Sequence, residues 1–163
     1  MKQAITDGAD GRRQKTGSEF MTPETINAML AEHWPAARVR CTAVEANRAR
    51  ATMTLQDTQI RPGGTISGPT QFAIADSAFW FLVCAVAGKP TPMAVTSELS
   101  IRFLRPAQGS EIHAEATLER AGRTQVVATV RVWTDEQTQR PCATAQGTYI
   151  RARGTDQGES QSK

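Results

Sequence analysis

The sequence predicts an α+β fold in which an antiparallel sheet wraps around one long central helix. Residues Ser67–Ala87 read SGPTQFAIADSAFWFLVCAVA, and a helix that is apolar nearly all round belongs in the centre of a fold. Two segments of alternating hydrophobicity precede this helix and four follow it, a pattern that is typical of β-strands. Short turns separate the later strands and favour antiparallel pairing. The apolar face of such a sheet needs cover, which the long helix supplies.

A short first helix is expected ahead of this core. Thr22 is the expected N-cap, and Pro23 suits the first helical position because its missing N–H is not needed there. The apolar face of this helix carries Ile26, Met29 and Leu30. The helix should end at Trp34, since Pro35 cannot continue it.

Two strands of a hairpin are predicted next, over Arg38–Glu45 and Asn47–Leu55. One face of the second strand is apolar and carries Ala49, Ala51, Met53 and Leu55. A long loop is expected over Gln56–Ile66, because it contains the strong breaker Arg61-Pro62-Gly63-Gly64.

The remaining strands are predicted after Gly88-Lys89-Pro90, which should end the central helix. They span Met93–Leu104, Glu111–Arg120, Thr124–Thr134 and Thr144–Arg153. In the first of these strands one face carries Val95, Leu99, Ile101 and Phe103, and the other carries Thr96, Glu98, Ser100 and Arg102. Gly122-Arg123 should form a tight turn between the second and the third.

The length of 163 residues predicts one domain, over residues 21–153. Residues 1–20 and 154–163 are polar and lack periodicity, so a disordered extension and a disordered tail are expected. The N-terminus has no apolar core of a secretory signal, and the central helix is too short and too closely flanked by turn residues to indicate a membrane span. These observations favour a cytoplasmic protein without a membrane partner.

The charge and the cysteines exclude several classes of function. The formal net charge is +3, but the arginines are spread along the chain, which argues against a nucleic-acid-binding stripe and is compatible with an anionic small molecule. Cys41, Cys84 and Cys142 are far apart and odd in number, so neither a disulfide framework nor a metal site is expected. Two isolated histidines, His33 and His113, make no metal site either.

Asp76 is the feature of the central helix that points to function. It is the one ionisable carboxylate in an otherwise almost wholly apolar segment. Burying a carboxylate costs several kcal/mol or raises its pKa unless a specific partner holds it. We therefore expect Asp76 to have a catalytic use.

The residues around Asp76 resemble those of a known family, the hotdog-fold acyl-CoA thioesterases of the phenylacetate-pathway type. That family opens the helix with His-Gly-Gly and carries an acidic residue nine positions after the His. Here Ser67-Gly68-Pro69 stands at the His-Gly-Gly, and Asp76 is nine positions after Ser67. Residues 94–107, AVTSELSIRFLRPA, are similar to the family's third strand and its following turn. The pair Gly122-Arg123, which follows a strand with acidic residues, also resembles the family. The resemblance covers about residues 39–151.

The resemblance implies a hotdog fold and the hydrolysis of an acyl- or aryl-CoA thioester. Gly68 would polarise the thioester carbonyl with its N–H, because a helix N-terminus offers free N–H groups and a positive dipole end. Asp76 would activate water as a general base or attack the carbonyl itself. Thr96 matches a family position that holds Ser or Thr, and it is expected to hydrogen-bond the attacking water.

Three positions depart from the family pattern. Ser67 replaces the His, which is usually assigned a supporting role, and Pro69 replaces the second Gly. Arg61 sits where many members carry an Asn that helps to position water or substrate. Ser67 is most simply an N-cap and secondarily a substrate contact.

The spacing between Gly68 and Asp76 predicts a dimer. Eight residues of helix separate them by about 12 Å at 1.5 Å per residue, so one carbonyl cannot be near both groups of the same helix. Asp76 must then meet Gly68 of another subunit, which predicts a two-fold homodimer with two antiparallel central helices and two shared sites, with a dimer of dimers as an alternative. The family resemblance implies the same arrangement.

Other residues are candidates for binding the substrate. The candidates for the CoA phosphates are Arg102, Arg105, Arg120 and Arg123, because guanidinium matches phosphate geometry. Arg123 is the best of them, since the family often has Arg or Lys in that turn. The candidates for an acyl pocket at the dimer seam are Phe72, Phe79, Trp80 and Phe81.

Two other functions remain open beside the thioesterase. A hydratase or dehydratase on the same fold usually needs a His with an acidic partner, and the helix start has no His. A non-catalytic acyl-CoA-binding module would have little reason to keep Asp76. The leading function requires neither a metal nor a redox cofactor.

Overall fold

The computed structural model describes residues 21–56 and 59–151, so the predicted disordered ends, over residues 1–20 and 154–163, lie outside the described residues. The elements in chain order are α1 (Pro23–His33), β1 (Arg40–Glu45), β2 (Arg48–Thr54), β3 (Ile60–Arg61), β4 (Thr65–Ile66), α2 (Gly68–Ala87), β5 (Val95–Phe103), β6 (Glu111–Ala121), β7 (Gln125–Thr134) and β8 (Ala143–Ile150).

Six strands form one antiparallel sheet in the order β1-β2-β6-β7-β8-β5. The helix α2 lies against this sheet and contacts chiefly β6, β2 and β7. By length and hydropathy alone α2 could cross a membrane, but more than half of it is buried inside the protein, as expected of a core helix. The predicted fold class is therefore confirmed.

The first helix ends where its sequence predicts. The Thr22 side chain accepts a hydrogen bond from the Thr25 N–H at 3.3 Å, and Trp34 is the C-cap. Its apolar face is buried against the core and consists of Ile26, Met29 and Leu30. The side chain of Asn27 makes two 2.9 Å hydrogen bonds with the backbone of Cys41, so α1 is joined directly to β1.

The central helix is buried all round over Ala78–Cys84, whereas its first half is open on one face. Ser67 caps its start, and Gly88 ends it in the left-handed conformation with φ of 65°. On the face turned away from the sheet, Phe72 and Ala73 are exposed and Asp76 is half-buried. The central position expected for this apolar helix is therefore confirmed, and the open face is confined to its first half.

The loop predicted over Gln56–Ile66 contains a short hairpin that the sequence analysis missed. Strands β3 and β4 pair through Ile60 and Ile66. Gly63 and Gly64 have φ of 93° and 76°, and glycine adopts such angles without the steric cost that a side chain brings. The same hairpin ends at the first turn of α2, since the Ser67 N–H donates to the Gln59 carbonyl.

The outermost strand β5 differs from its predicted burial. Val95 and Phe103 were expected on the core face, but they are 59% and 51% exposed. The register of β5 shifts between Thr96 and Glu98, which turns Val95 to the outer face of the sheet. Phe103 lies on this edge strand without full cover from the described residues. A long edge strand with exposed apolar residues favours pairing with another chain.

The three cysteines are free and buried. The sequence analysis predicted no disulfide framework, and the structure agrees with that prediction. Burial raises the pKa of the Cys41 thiol to about 12 and raises the pKa values of Cys84 and Cys142 as well. These thiols therefore stay protonated, and none of them is suited to act as a nucleophile.

Candidate active site on the open face of the central helix

The Asp76 carboxylate lies half-buried on the open face of α2 and is held by two hydroxyl groups. The Thr96 hydroxyl and the Tyr149 hydroxyl each donate a hydrogen bond to Oδ1 at 2.8 Å. Among the described residues, no donor reaches the other oxygen, Oδ2. Within one protomer Asp76 is thus only half-buried, because its helix face is open.

Tyr149 is the only tyrosine of the chain, and the sequence analysis did not single it out. It is 3% exposed on β8, and its ring packs on Phe79 of α2 with 4.9 Å between centroids. Burial, followed by the Asp76 carboxylate, raises the pKa of the phenol above its ordinary value. Tyr149 therefore remains a hydrogen-bond donor at the pH values where enzymes work.

A β-bulge in β5 turns Thr96 toward Asp76. Thr96 pairs with Tyr149 and Glu98 pairs with Thr148, so Ser97 is an extra residue on the β5 side of the ladder. The predicted alternation placed Thr96 on the polar outer face, together with Glu98. That prediction is wrong, since the extra residue shifts the side-chain alternation by one and places Thr96 on the helix side.

Gly147 is the one sequence signal from which this bulge could have been predicted. It lies opposite Leu99 on β8, and a Cβ at this position would overlap the Glu98 carbonyl oxygen. A glycine inside a strand often marks a bulge or a close backbone approach. Here it lets the bulged backbone of β5 come close to β8.

An open groove of about 810 Å³ runs over Asp76. Its floor includes Asp76, Thr96 and Tyr149, and its walls come from α1 and from the segment that follows α1. Trp34 packs edge-on against Trp80 with 5.2 Å between centroids, and both line the groove. The groove thus places a carboxylate at one side of a largely apolar, aromatic cleft.

The N-terminus of α2 carries the second predicted feature. The Ser67 side chain accepts from the Thr70 N–H at 3.2 Å, which confirms its reading as an N-cap. Gly68 follows as the first helical residue, and no acceptor within the described part of the chain takes its N–H. A Cβ on Gly68 would lie 3.3 Å from the Phe103 ring, so glycine keeps this helix start close to the end of β5.

The structure brings some candidate residues together and separates others. Asp76 and Thr96 meet, whereas Gly68 lies about two turns earlier on the same helix. Arg61 is exposed in β3, on the hairpin that ends at the start of α2. Phe72 lies on α2 between Gly68 and Asp76 and is 37% exposed.

The remaining predicted binding residues lie farther from Asp76. Arg102 lies on the outer face of the sheet, beside Arg131 and away from α2. Arg123 is exposed in the β6–β7 turn, at the end of the sheet where Val126 pairs with Tyr149. Of the four aromatic candidates for the acyl pocket, Trp80 lines the groove, whereas Phe79 and Phe81 are fully buried core residues.

Comparisons with known proteins show which proteins this chain resembles in sequence and fold. Residues 63–140 match the family model of the thioesterase superfamily. A candidate thioesterase from Silicibacter sp. TM1040 is 28% identical, with a TM-score of 0.71 over 81% of this chain and 92% of that one. A thioesterase from Haemophilus influenzae is 19% identical, with a TM-score of 0.72 over 84% and 94% of the two chains.

The PaaI protein of the phenylacetic acid degradation operon of E. coli is 24% identical, with a TM-score of 0.67 over 80% of this chain and 93% of that one. Among curated protein sequences, none matches this chain. The sheet wrapped on a central helix, shared with these structures, defines a hotdog-fold protein. Residues 63–140 match the thioesterase superfamily model and the fold is shared with these thioesterase structures, so the resemblance found in the sequence is confirmed.

Proposed function

We propose that the protein is a cytoplasmic acyl-CoA thioesterase that hydrolyses an acyl- or aryl-CoA thioester to the free acid and CoA. The observation that carries the proposal is the Asp76 carboxylate, which is held by two hydroxyls at the floor of an apolar groove. A carboxylate whose second oxygen has no donor among the described residues, beside an apolar cleft, is suited to activate water or to attack a carbonyl. The match of residues 63–140 to the thioesterase superfamily model supports the same reaction.

The proposed chemistry needs three groups. Asp76 takes a proton from water as the water oxygen attacks the thioester carbonyl, or its own oxygen attacks and water later cleaves the anhydride. The Gly68 N–H, at the positive end of the helix dipole, stabilises the oxygen on which negative charge develops. The C–S bond breaks as this oxyanion collapses, which gives the acid in the first route and the anhydride in the second. The CoA thiolate leaves and takes a proton, from Asp76 in the first route and from water in the second. Neither a metal ion nor a redox cofactor takes part in these steps.

The two halves of the site come from two subunits in this proposal. Gly68 and Asp76 lie on one helix about 12 Å apart, so a single carbonyl reaches both only across a dimer. The exposed apolar residues of the β5 edge support this assembly, and so does Met93, which lies two residues before β5 and is 73% exposed. An antiparallel arrangement of the two α2 helices would bring Asp76 of one chain to Gly68 of the other.

Substrate binding is proposed to use both ends of this shared site. Ser67, Arg61 and Phe72 lie at or near the Gly68 end, and Thr96 lies at the Asp76 end, where its hydroxyl can still accept a hydrogen bond from water. Arg123 and Arg102 are proposed to bind CoA phosphates, because guanidinium pairs with phosphate in two parallel hydrogen bonds.

A thiol-release assay with acyl-CoA substrates of varied chain and aryl type tests the proposed reaction. The expected result is release of CoA from at least one substrate class, with no added metal. Binding of acyl-CoA without any thiol release would overturn the hydrolase and favour a non-catalytic binding module.

Substitution of Gly68 by proline should remove the oxyanion donor while leaving the helix. Proline lacks the N–H but suits the first helical position, and loss of one such donor costs about 10²–10³ in kcat. Gly68→Ala is the matched control, because alanine keeps the N–H and meets only the exposed Phe103 ring. Equal activity of the two variants, with equal melting temperatures, would contradict the role of Gly68.

Mixing two inactive variants tests the shared site. Gly68→Pro chains and Asp76→Asn chains, dissociated and reassembled together in equal amounts, should recover about a quarter of the wild-type activity, since half of the dimers are mixed and each mixed dimer has one intact site. Light scattering of the mixture should show dimers or larger assemblies. No recovery in mixtures that have exchanged subunits would place both groups of each site in one chain.

A further inference from the structure

Two hydroxyls on neighbouring strands converge on one oxygen of Asp76. Thr96 and Tyr149 are paired residues in the β5–β8 ladder, so the sheet register sets their side chains next to each other. Both donate to Oδ1 at 2.8 Å. Two donors on one oxygen restrict rotation of the carboxylate far more than one donor does.

We infer that Tyr149 is a positioning residue, which together with Thr96 fixes Asp76 through Oδ1 and leaves Oδ2 to perform the chemistry. Oδ2 has no donor among the described residues, and Asp76 lines the groove where a substrate carbonyl would lie. In the general-base route Oδ2 takes the proton of water, and in the nucleophilic route Oδ2 attacks. Correct orientation of one oxygen supports either route, because reacting groups must be held close to the productive geometry.

The surroundings of Tyr149 explain why it can hold this position. Its ring projects from β8 and packs on Phe79 of α2, and the buried phenol needs a polar partner, which the Asp76 carboxylate provides. Hydrogen bonds to an ionised acceptor are shorter and stronger than those between neutral groups. The phenol does not touch the reacting atoms in this arrangement, so its effect passes through Asp76.

The kinetic test uses Tyr149→Phe, which removes one oxygen and keeps the ring. The inference relies on the proposed thioesterase for this readout. We expect kcat to fall about 10- to 100-fold, the size of a lost hydrogen bond to a charged group, with KM changed less than about twofold. Thr148→Val is the matched control, since it removes a hydroxyl from the same strand on the outer face and should leave kcat unchanged.

A double substitution separates positioning from general stability. In the Asp76→Asn background the Tyr149→Phe change should alter kcat by less than about twofold, because the group that it positions is gone. An equal fall in both backgrounds, or a rise in KM with kcat unchanged, would overturn the inference.

A spectroscopic test is independent of activity. Since Tyr149 is the only tyrosine, protein labelled with carbon-13 at the tyrosine ring carbon that bears the hydroxyl gives one resonance. That resonance should move in Asp76→Asn, because a neutral amide accepts more weakly than a carboxylate, and it should stay in place in Glu98→Gln. An unchanged resonance in Asp76→Asn would refute the contact. A moved resonance in a protein that releases no thiol would refute the hydrolase alone.

Discussion

Replacement of Asp76 by asparagine should lower kcat for thioester hydrolysis by about 10²–10⁴-fold, the usual contribution of a positioned general base. Asparagine has nearly the same shape, and its carbonyl oxygen can still accept from Thr96 and Tyr149, so the fold should be retained. The loss therefore reports the missing charge and the missing proton acceptor. The measurement is steady-state thiol release together with the melting temperature of each protein.

Glu98→Gln provides the control for the loss of one carboxylate from this part of the molecule. Glu98 lies two residues after Thr96, but its side chain is exposed and belongs to the outer face of β5. Its substitution should leave kcat within about twofold of the wild-type value, as expected for a surface change. Thioester hydrolysis that survives in Asp76→Asn at the wild-type rate would refute the assigned role of the carboxylate.

Replacement of Gly147 by alanine should damage both stability and activity. The added Cβ would overlap the Glu98 carbonyl oxygen, and a backbone atom cannot rotate away as a side chain can. Overpacking of this kind lowers the free energy of unfolding by about 1–3 kcal/mol. The bulge also orients the Thr96 side chain toward Asp76. Strain in β5 should therefore break the hydrogen bond from the Thr96 hydroxyl to Asp76, and kcat should fall.

Chemical denaturation and thiol release of the Gly147→Ala protein check both effects. Gly122→Ala is the matched control, since a Cβ there would meet only the Gln125 carbonyl at an ordinary 3.5 Å. It should change the free energy of unfolding by less than about 0.5 kcal/mol, as most surface substitutions do. A Gly147→Ala protein as stable and as active as Gly122→Ala would show that the bulge needs no glycine opposite it.

Much of the fold could be predicted because local rules and global packing agree in this chain. Thr22 and Ser67 cap the helices as expected, and the apolar alternation of Ala49, Ala51 and Met53 correctly assigns the buried face of β2. The apolar helix and the short turns between the strands were sufficient to predict an antiparallel sheet around that helix. The short hairpin at Ile60 was missed, since two-residue strands lack a measurable period.

The candidate site was predicted only in part. Asp76 stood out as a charge in an apolar segment, and the helix start marked Gly68 as a donor. The sheet face on which Thr96 lies was predicted wrongly. A single inserted residue reverses the side-chain alternation, and the hydrophobic pattern of β5 does not reveal this insertion. Tyr149 was missed because its distance from Asp76 along the chain is 73 residues, and only the sheet register brings them together.

By itself, the sequence determined that this protein has a sheet around a central helix and a carboxylate on that helix, because periodicity, caps and turns are local properties. The tertiary structure decided how the carboxylate is held. The bulge opposite Gly147 and the pairing of β5 with β8 place the Thr96 and Tyr149 hydroxyls on one oxygen of Asp76. Such a contact depends on strand register, which is set by the packing of the whole sheet and not by the residues near Asp76 in the chain.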